Sequence, residues 1–324
     1  MKKIVNLPFE EKPLCIMYQH IAFPLGIIQG NSQMNYIPVV FTKYINCTFD
    51  GCQYATRFSL GEDLWFLDDG LIKRYNLLID NGIYNNSRFE LLKLIKKMLS
   101  IGFYVEGNCN EKWIPGKYFY NRRYFFHPFI LIGYNDIKKV FYSVGFLKDN
   151  RFQRFEIKYE DMLQAIETSD QCNIKLQCRE YNKDFVFEFD LSKVISTLKK
   201  YIEASDDIDS EIAHGIKAIE RLKSDFREYN YTDYRYTRGL KEHKRFINLC
   251  IKYLIDNKYL SGQKFIECAN LVCDIAERVH LLSLKFAFTQ SKDLINKITN
   301  LINKMISTEK QYLPEVISFL ENNS

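Results

Sequence analysis

No Cys-x-x-Cys pair, no long uninterrupted apolar run and no block of like charge occurs in this 324-residue chain. The nine cysteines are scattered, and the close pairs Cys47/Cys52, Cys172/Cys178 and Cys268/Cys273 lack the clustered histidines of a zinc site. A structural metal is therefore not expected, no cofactor motif is read, and the odd, dispersed thiols point to reduced cysteines in a cytoplasmic protein. A membrane-spanning helix needs about eighteen or more consecutive apolar residues, which the chain does not have, so no membrane partner is expected. The first residues carry two lysines but meet Pro8, Glu10 and Glu11 before any apolar stretch, unlike a secretory signal. Forty-five basic against 40 acidic residues give a net charge of +5 with no basic arm, which makes nucleic acid a poor candidate partner.

What is present is enough apolar residue, 47%, to bury a full core and room for two domains. The 25 Phe and 22 Tyr run through the whole chain and carry no functional weight on their own. Eleven of the 14 glycines and six of the 7 prolines lie before residue 191, so punctuation is dense early and sparse late. Residues 1–190 read as a mixed domain. Leu91, Leu92, Leu94, Ile95 and Met98 form an apolar face over 89–99, opposite Lys93, Lys96 and Lys97, while 103–106, 154–157 and 186–189 read as strands. Residues 191–324 read as a helical domain, with helical periodicity over 191–202, 208–229, 239–260, 263–288 and 292–306. Ser291 is an expected N-cap, and Pro314 is expected near the start of a last short helix. The fold class is thus α+β, a mixed domain followed by helices.

The stretch from Phe125 to Asp136 places a histidine, His127, at the head of an apolar strand that turns at Asn135–Asp136 and returns over 140–146. A hairpin centred there pairs residues whose numbers sum to about 273, so His127 is expected opposite Gly145 or Phe146. A base of this kind needs a carboxylate or amide to hold its tautomer. Glycine stands at the expected place, and the nearest acids in sequence are Asp136 in the turn and Asp149 beyond the strand. Upstream thiols are Cys15, Cys47 and Cys52. Cys15 precedes the 16–29 segment, interrupted by Pro24, and Cys52 follows Asp50-Gly51 where a short helix could start. A helix N-terminus lends a thiol anionic character, so Cys15 and Cys52 are candidate nucleophiles, although an inert buried thiol is the commoner reading of each. His20 either lines the same cleft as His127 or caps a turn, the second being preferred, and His214, His243 and His280 are read as surface or packing residues of helices.

Papain-like cysteine enzymes present their imidazole on such a hairpin. The His127–Asp136 segment, its return strand and the stretch from Ile157 to Ala165 resemble the family typified by the N-terminal domain of the butirosin-cluster acyltransferase. His20 to Ile28 and Gly239 to Lys244 are also similar to stretches of that family. The resemblance implies a papain-like, bacteriocin-leader-peptidase-like domain and a cysteine-bound acyl intermediate. It implies acyl transfer from a carrier-protein thioester to a small amine, as in the peptidase-like homologue assigned to amide-bond formation in closthioamide assembly. His127 would be the base. Carrier proteins present acidic surfaces, for which Lys93, Lys96, Lys97, Arg122 and Arg123 are candidate contacts. The alternative is a non-catalytic relative that keeps the fold to bind a carrier protein or pathway product.

Overall fold

The computed structural model describes residues 4–51, 58–61, 69–80, 88–169, 173–204, 211–229 and 233–323. In chain order its elements are β1 (Ile4–Asn6), α1 (Gln19–Asn31), α2 (Ile37–Tyr44), β2 (Cys47–Asp50), β3 (Phe58–Leu60) and β4 (Ile72–Asp80). Then follow α3 (Arg88–Ser100), β5 (Tyr104–Asn110), a 3-10 turn (Glu111–Trp113), β6 (Phe126–Asn135), β7 (Val140–Phe146), β8 (Phe152–Lys158), α4 (Tyr159–Glu167) and β9 (Asn173–Tyr181). The remainder is α5 (Leu191–Ile202), β10 (Ile212–His214), α6 (Gly215–Tyr229), α7 (Tyr234–Asp256), α8 (Gln263–Thr289) and α9 (Lys292–Asn322). The class is α+β, with an antiparallel sheet and a C-terminal helical region. The chain divides into two compact units, residues 1–34 with 64–185 and residues 35–63 with 186–324. Residues 35–63, read from sequence as part of the first domain, group instead with the helical region.

The first unit is built on a sheet of order β4-β9-β5-β6-β7-β8, to which β1 adds by pairing with β6. Alternation along the strands sends Val105, Leu131, Phe141, Ile157 and Leu176 to one face, where Leu91, Ile95 and Leu99 of α3 and Met162, Leu163 and Ile166 of α4 close the core. On the opposite face lies α1, whose Phe23 meets Phe152 with ring centroids 6.3 Å apart. Residues 21–28 of α1 are all buried, which is why the helix is apolar on every side and tolerates Pro24. The β6–β7 turn is held by Asn135, whose Oδ1 accepts from Ile137 N at 3.0 Å and Lys138 N at 3.1 Å. Pairing runs Asn135↔Val140, Tyr134↔Phe141 and Gly133↔Tyr142, then slips by one residue to Leu131↔Ser143. Gly133 is required where β1 comes alongside, because a Cβ there would lie 2.2 Å from Val5 O.

The second unit holds the short sheet β10-β2-β3 and helices α2 and α5 to α9. A buried ion pair, Lys244 Nζ to Glu309 Oε2 at 2.8 Å, joins α7 to α9, and Tyr201 OH donates to the same oxygen at 2.8 Å. Three sequence expectations are corrected here. Residues 186–189 are not a strand: Phe189 packs edge-on against Phe41 and at a tilt against Tyr253 and Tyr259, and Val186 is exposed. His214 lies in β10, not in a helix, because α6 starts only at Gly215. The last helix runs unbroken through Pro314, since Leu313, Val316, Ile317 and Leu320 beside it are buried and outweigh the hydrogen bond that proline removes. Ser291 is the N-cap residue, but its side chain makes no capping bond.

Candidate active site

The neighbour that matters to His127 is β5, not the return strand. In the antiparallel register His127 faces Cys109 and Phe126 faces Asn110. At the end of β5, Asn110 Oδ1 accepts from Lys112 N at 3.2 Å and Phe125 N at 3.3 Å, and Glu111 N donates to Phe125 O at 2.9 Å. These bonds curl the chain into the 3-10 turn and fix Glu111 beside the head of β6. Its Oε1 lies 2.9 Å from His127 Nδ1 and 3.3 Å from Lys117 Nζ. A carboxylate only accepts, so Nδ1 carries the proton, and in the neutral ring the lone pair falls to Nε2. The imidazole is 34% exposed while Glu111 and Lys117 are both buried. Burial alone would raise the Glu111 carboxyl; the His127 hydrogen bond and the Lys117 ammonium outweigh it and hold the group below its ordinary value.

Among the described strand pairs, none sets Gly145 opposite His127. The ladder between β6 and β7 ends at Leu131↔Ser143, short of His127. A Cβ on Gly145 would lie 2.9 Å from Gln19 Nε2 and 3.4 Å from Lys117 Nζ, so an amide and an ammonium lean over its bare backbone. Gln19 opens α1, is 5% exposed, and neither its Nε2 nor its Oε1 has a hydrogen-bond partner. The first turn of α1, Glu111, Lys117 and His127 therefore meet around one corner of the sheet.

The thiols are placed less favourably. Cys15 is fully buried in the segment before α1, and Cys52 lies outside the described residues. Cys109, which the register sets beside His127, belongs to the core, and burial pushes its thiol up to about 12. Burial also raises Cys47 to about 12; its Sγ donates to Gly215 O at 3.4 Å in the second unit. Among the described residues, the one hydrogen-bond partner of the His127 ring is Glu111.

The other acids and histidines make contacts elsewhere in the fold or in α1. Asp136 accepts from Tyr159 OH at 3.0 Å and pairs with Lys96, so Lys96 is committed to the hairpin turn. Asp149 Oδ1 accepts from Arg151 N at 3.1 Å. His20 is the second residue of α1 and stacks on Tyr18 at 5.3 Å. His243 donates from Nε2 to Ile45 O at 2.7 Å, and burial holds its ring neutral. His280 meets Thr237 Oγ1 at 3.1 Å, its pKa lowered by burial to about 4. Glu111 itself was missed from sequence. Extending the 103–106 strand by its alternation to Asn110 brings the next residue level with Phe125, which was the available signal.

Among the described residues, no three His, Cys, Asp or Glu side chains group to hold a metal ion, and no helix is long and apolar enough to cross a membrane. Compared with protein-family models and with curated proteins, the chain matches none.

Proposed function

We propose that this protein is an acyltransferase of papain-like type that forms an amide bond, with His127 as general base and Glu111 as the residue that orients it. The observation that carries the proposal is the 2.9 Å contact of Nδ1 with a buried carboxylate, on a ring whose other nitrogen has no hydrogen-bond partner among the described residues. The donor is an acyl thioester on a carrier protein, and the acceptor a small amine. Transfer breaks the acyl C–S bond and forms C–N. His127 Nε2 takes the proton of the attacking group and returns it to the departing thiolate, so no other reactant is required. A cysteine-bound intermediate would draw on Cys15 or Cys52.

A second reading, a non-catalytic relative that binds a carrier protein or product, is favoured by one observation: among the described residues, the His127 ring has no thiol as a hydrogen-bond partner. One experiment separates the two. Acyl-loaded carrier protein and amine are incubated with the wild type, His127→Ala, Cys15→Ala and Cys52→Ala, and amide product and enzyme-bound acyl are followed by intact mass. Transfer should fall about 10²- to 10⁴-fold in His127→Ala, the usual size of general-base catalysis. Loss of the adduct in one cysteine variant identifies the nucleophile. Equal product from wild type and His127→Ala, or none from either, leaves the binding reading standing.

A further inference from the structure

Between the 3-10 turn and β6, the chain makes a lip of exposed rings and uncompensated cations beside His127. Tyr118 and Tyr124 are each 58% exposed and Phe126 53%. Lys112 Nζ sits 4.3 Å over the Tyr124 ring, Arg122 4.9 Å over Tyr118 and Arg123 4.4 Å over Phe119. Along residues 107–134 the charged side chains are Lys112, Lys117, Arg122 and Arg123 against Glu111 alone. Lys117 is paired with Glu111, so three cations remain, and none of them meets a carboxylate among the described residues. The lip is also tied down. Asn121 N donates to Lys112 O at 3.0 Å, Arg122 N to Phe119 O at 3.0 Å and Lys148 N to Gly116 O at 2.9 Å. A surface already ordered loses little entropy when it binds. A chain of rings, Phe119 to Phe125 at 4.3 Å and Phe125 to His127 at 5.5 Å, leads from the lip to the base.

We infer that this lip is a docking surface for an acidic protein face, which delivers its cargo to His127. Tyr and Arg are the residues that dominate protein–protein binding energy, and three fixed cations without partners select a surface of opposite charge. Each cation covers a face of a tyrosine or phenylalanine ring, so those faces are not free to stack on bases, and a protein surface suits the lip better. The inference rests on the carrier-bound donor proposed above. Its test is separate from turnover.

Binding of a holo acyl carrier protein is measured by fluorescence anisotropy at low and at moderate salt for the wild type, Arg122→Glu/Arg123→Glu and Tyr118→Ala/Tyr124→Ala. The charge reversal should weaken binding at least tenfold, the tyrosine pair several-fold, and salt should weaken the wild type. Both multiple variants alter exposed side chains, and circular dichroism verifies their fold. Wild-type binding without acyl transfer would support docking and sink the acyltransfer reading. Affinity unchanged by charge reversal, no binding of the carrier protein, or tighter binding of a single-stranded oligonucleotide overturns the inference.

Discussion

Glu111→Gln keeps the shape of the side chain and removes its charge, and the structure gives it two separable consequences. Lys117 Nζ lies 3.3 Å from Glu111, and both side chains are 7% exposed. Removing one partner of a buried pair leaves the other charge uncompensated, which costs about 3–5 kcal/mol. The neutral amide also no longer enforces protonation of His127 Nδ1, and loss of such an orienting carboxylate lowers turnover by about 10²- to 10⁴-fold. The two effects part company in Glu111→Gln/Lys117→Met, where the orphan ammonium is gone: stability should return towards wild type while transfer stays low. Urea denaturation and the acyl-transfer assay read the two quantities. The pH dependence has a definite sign. The Glu111 carboxyl is held below its unfolded value, so its contribution to stability is present above the ordinary carboxyl pKa of about 4.3 and is lost as pH falls through the lower folded value. Glu111→Gln should therefore flatten the acid limb of the stability profile. If the single variant loses stability yet transfers acyl groups within threefold of wild type, Glu111 serves Lys117 alone and the base has been misassigned.

Two further outcomes follow from the packing. Gly133→Ala should destabilise more than Gly145→Ala, at the upper end of the roughly 1–3 kcal/mol of overpacking, because its Cβ meets the backbone oxygen of Val5 at 2.2 Å. At Gly145 the obstacles are the mobile ends of Gln19 and Lys117; paired thermal melts give the order directly. Lys244→Met should cost about 3–5 kcal/mol by stranding the fully buried Glu309, and Lys244→Met/Glu309→Leu should recover most of it in chemical denaturation.

Local pattern was a good guide where local forces decide. The 191–202 periodicity corresponds to α5, and Asn135–Asp136 marks the turn of the β6–β7 hairpin. It failed where a distant partner decides. The 186–189 alternation is that of a strand, but the partners of Phe189 are rings of α2, α7 and the residue-259 turn, so no ladder forms. Pro314 reads as a helix start until the buried residues on both sides of it are known. At the site, His127 was legible from the strand it heads. Its carboxylate was not, because a hairpin argument looks to the return strand, while Glu111 comes from β5 across the other edge of β6.

The one-residue slip between Leu131 and Gly133 has a dynamic meaning. From Ile130 towards the N-terminus the ladder of β6 is, among the described residues, with β5 alone, whereas from Gly133 to Asn135 the strand is bonded to β1 on one edge and β7 on the other. Opening free energy follows the number of bonds and neighbours a segment must give up. The amides of His127, Phe129 and Ile130 should thus exchange with solvent ahead of those of 133–135. The imidazole stands on the half of its strand that yields first, and the firmly held half acts as its hinge post.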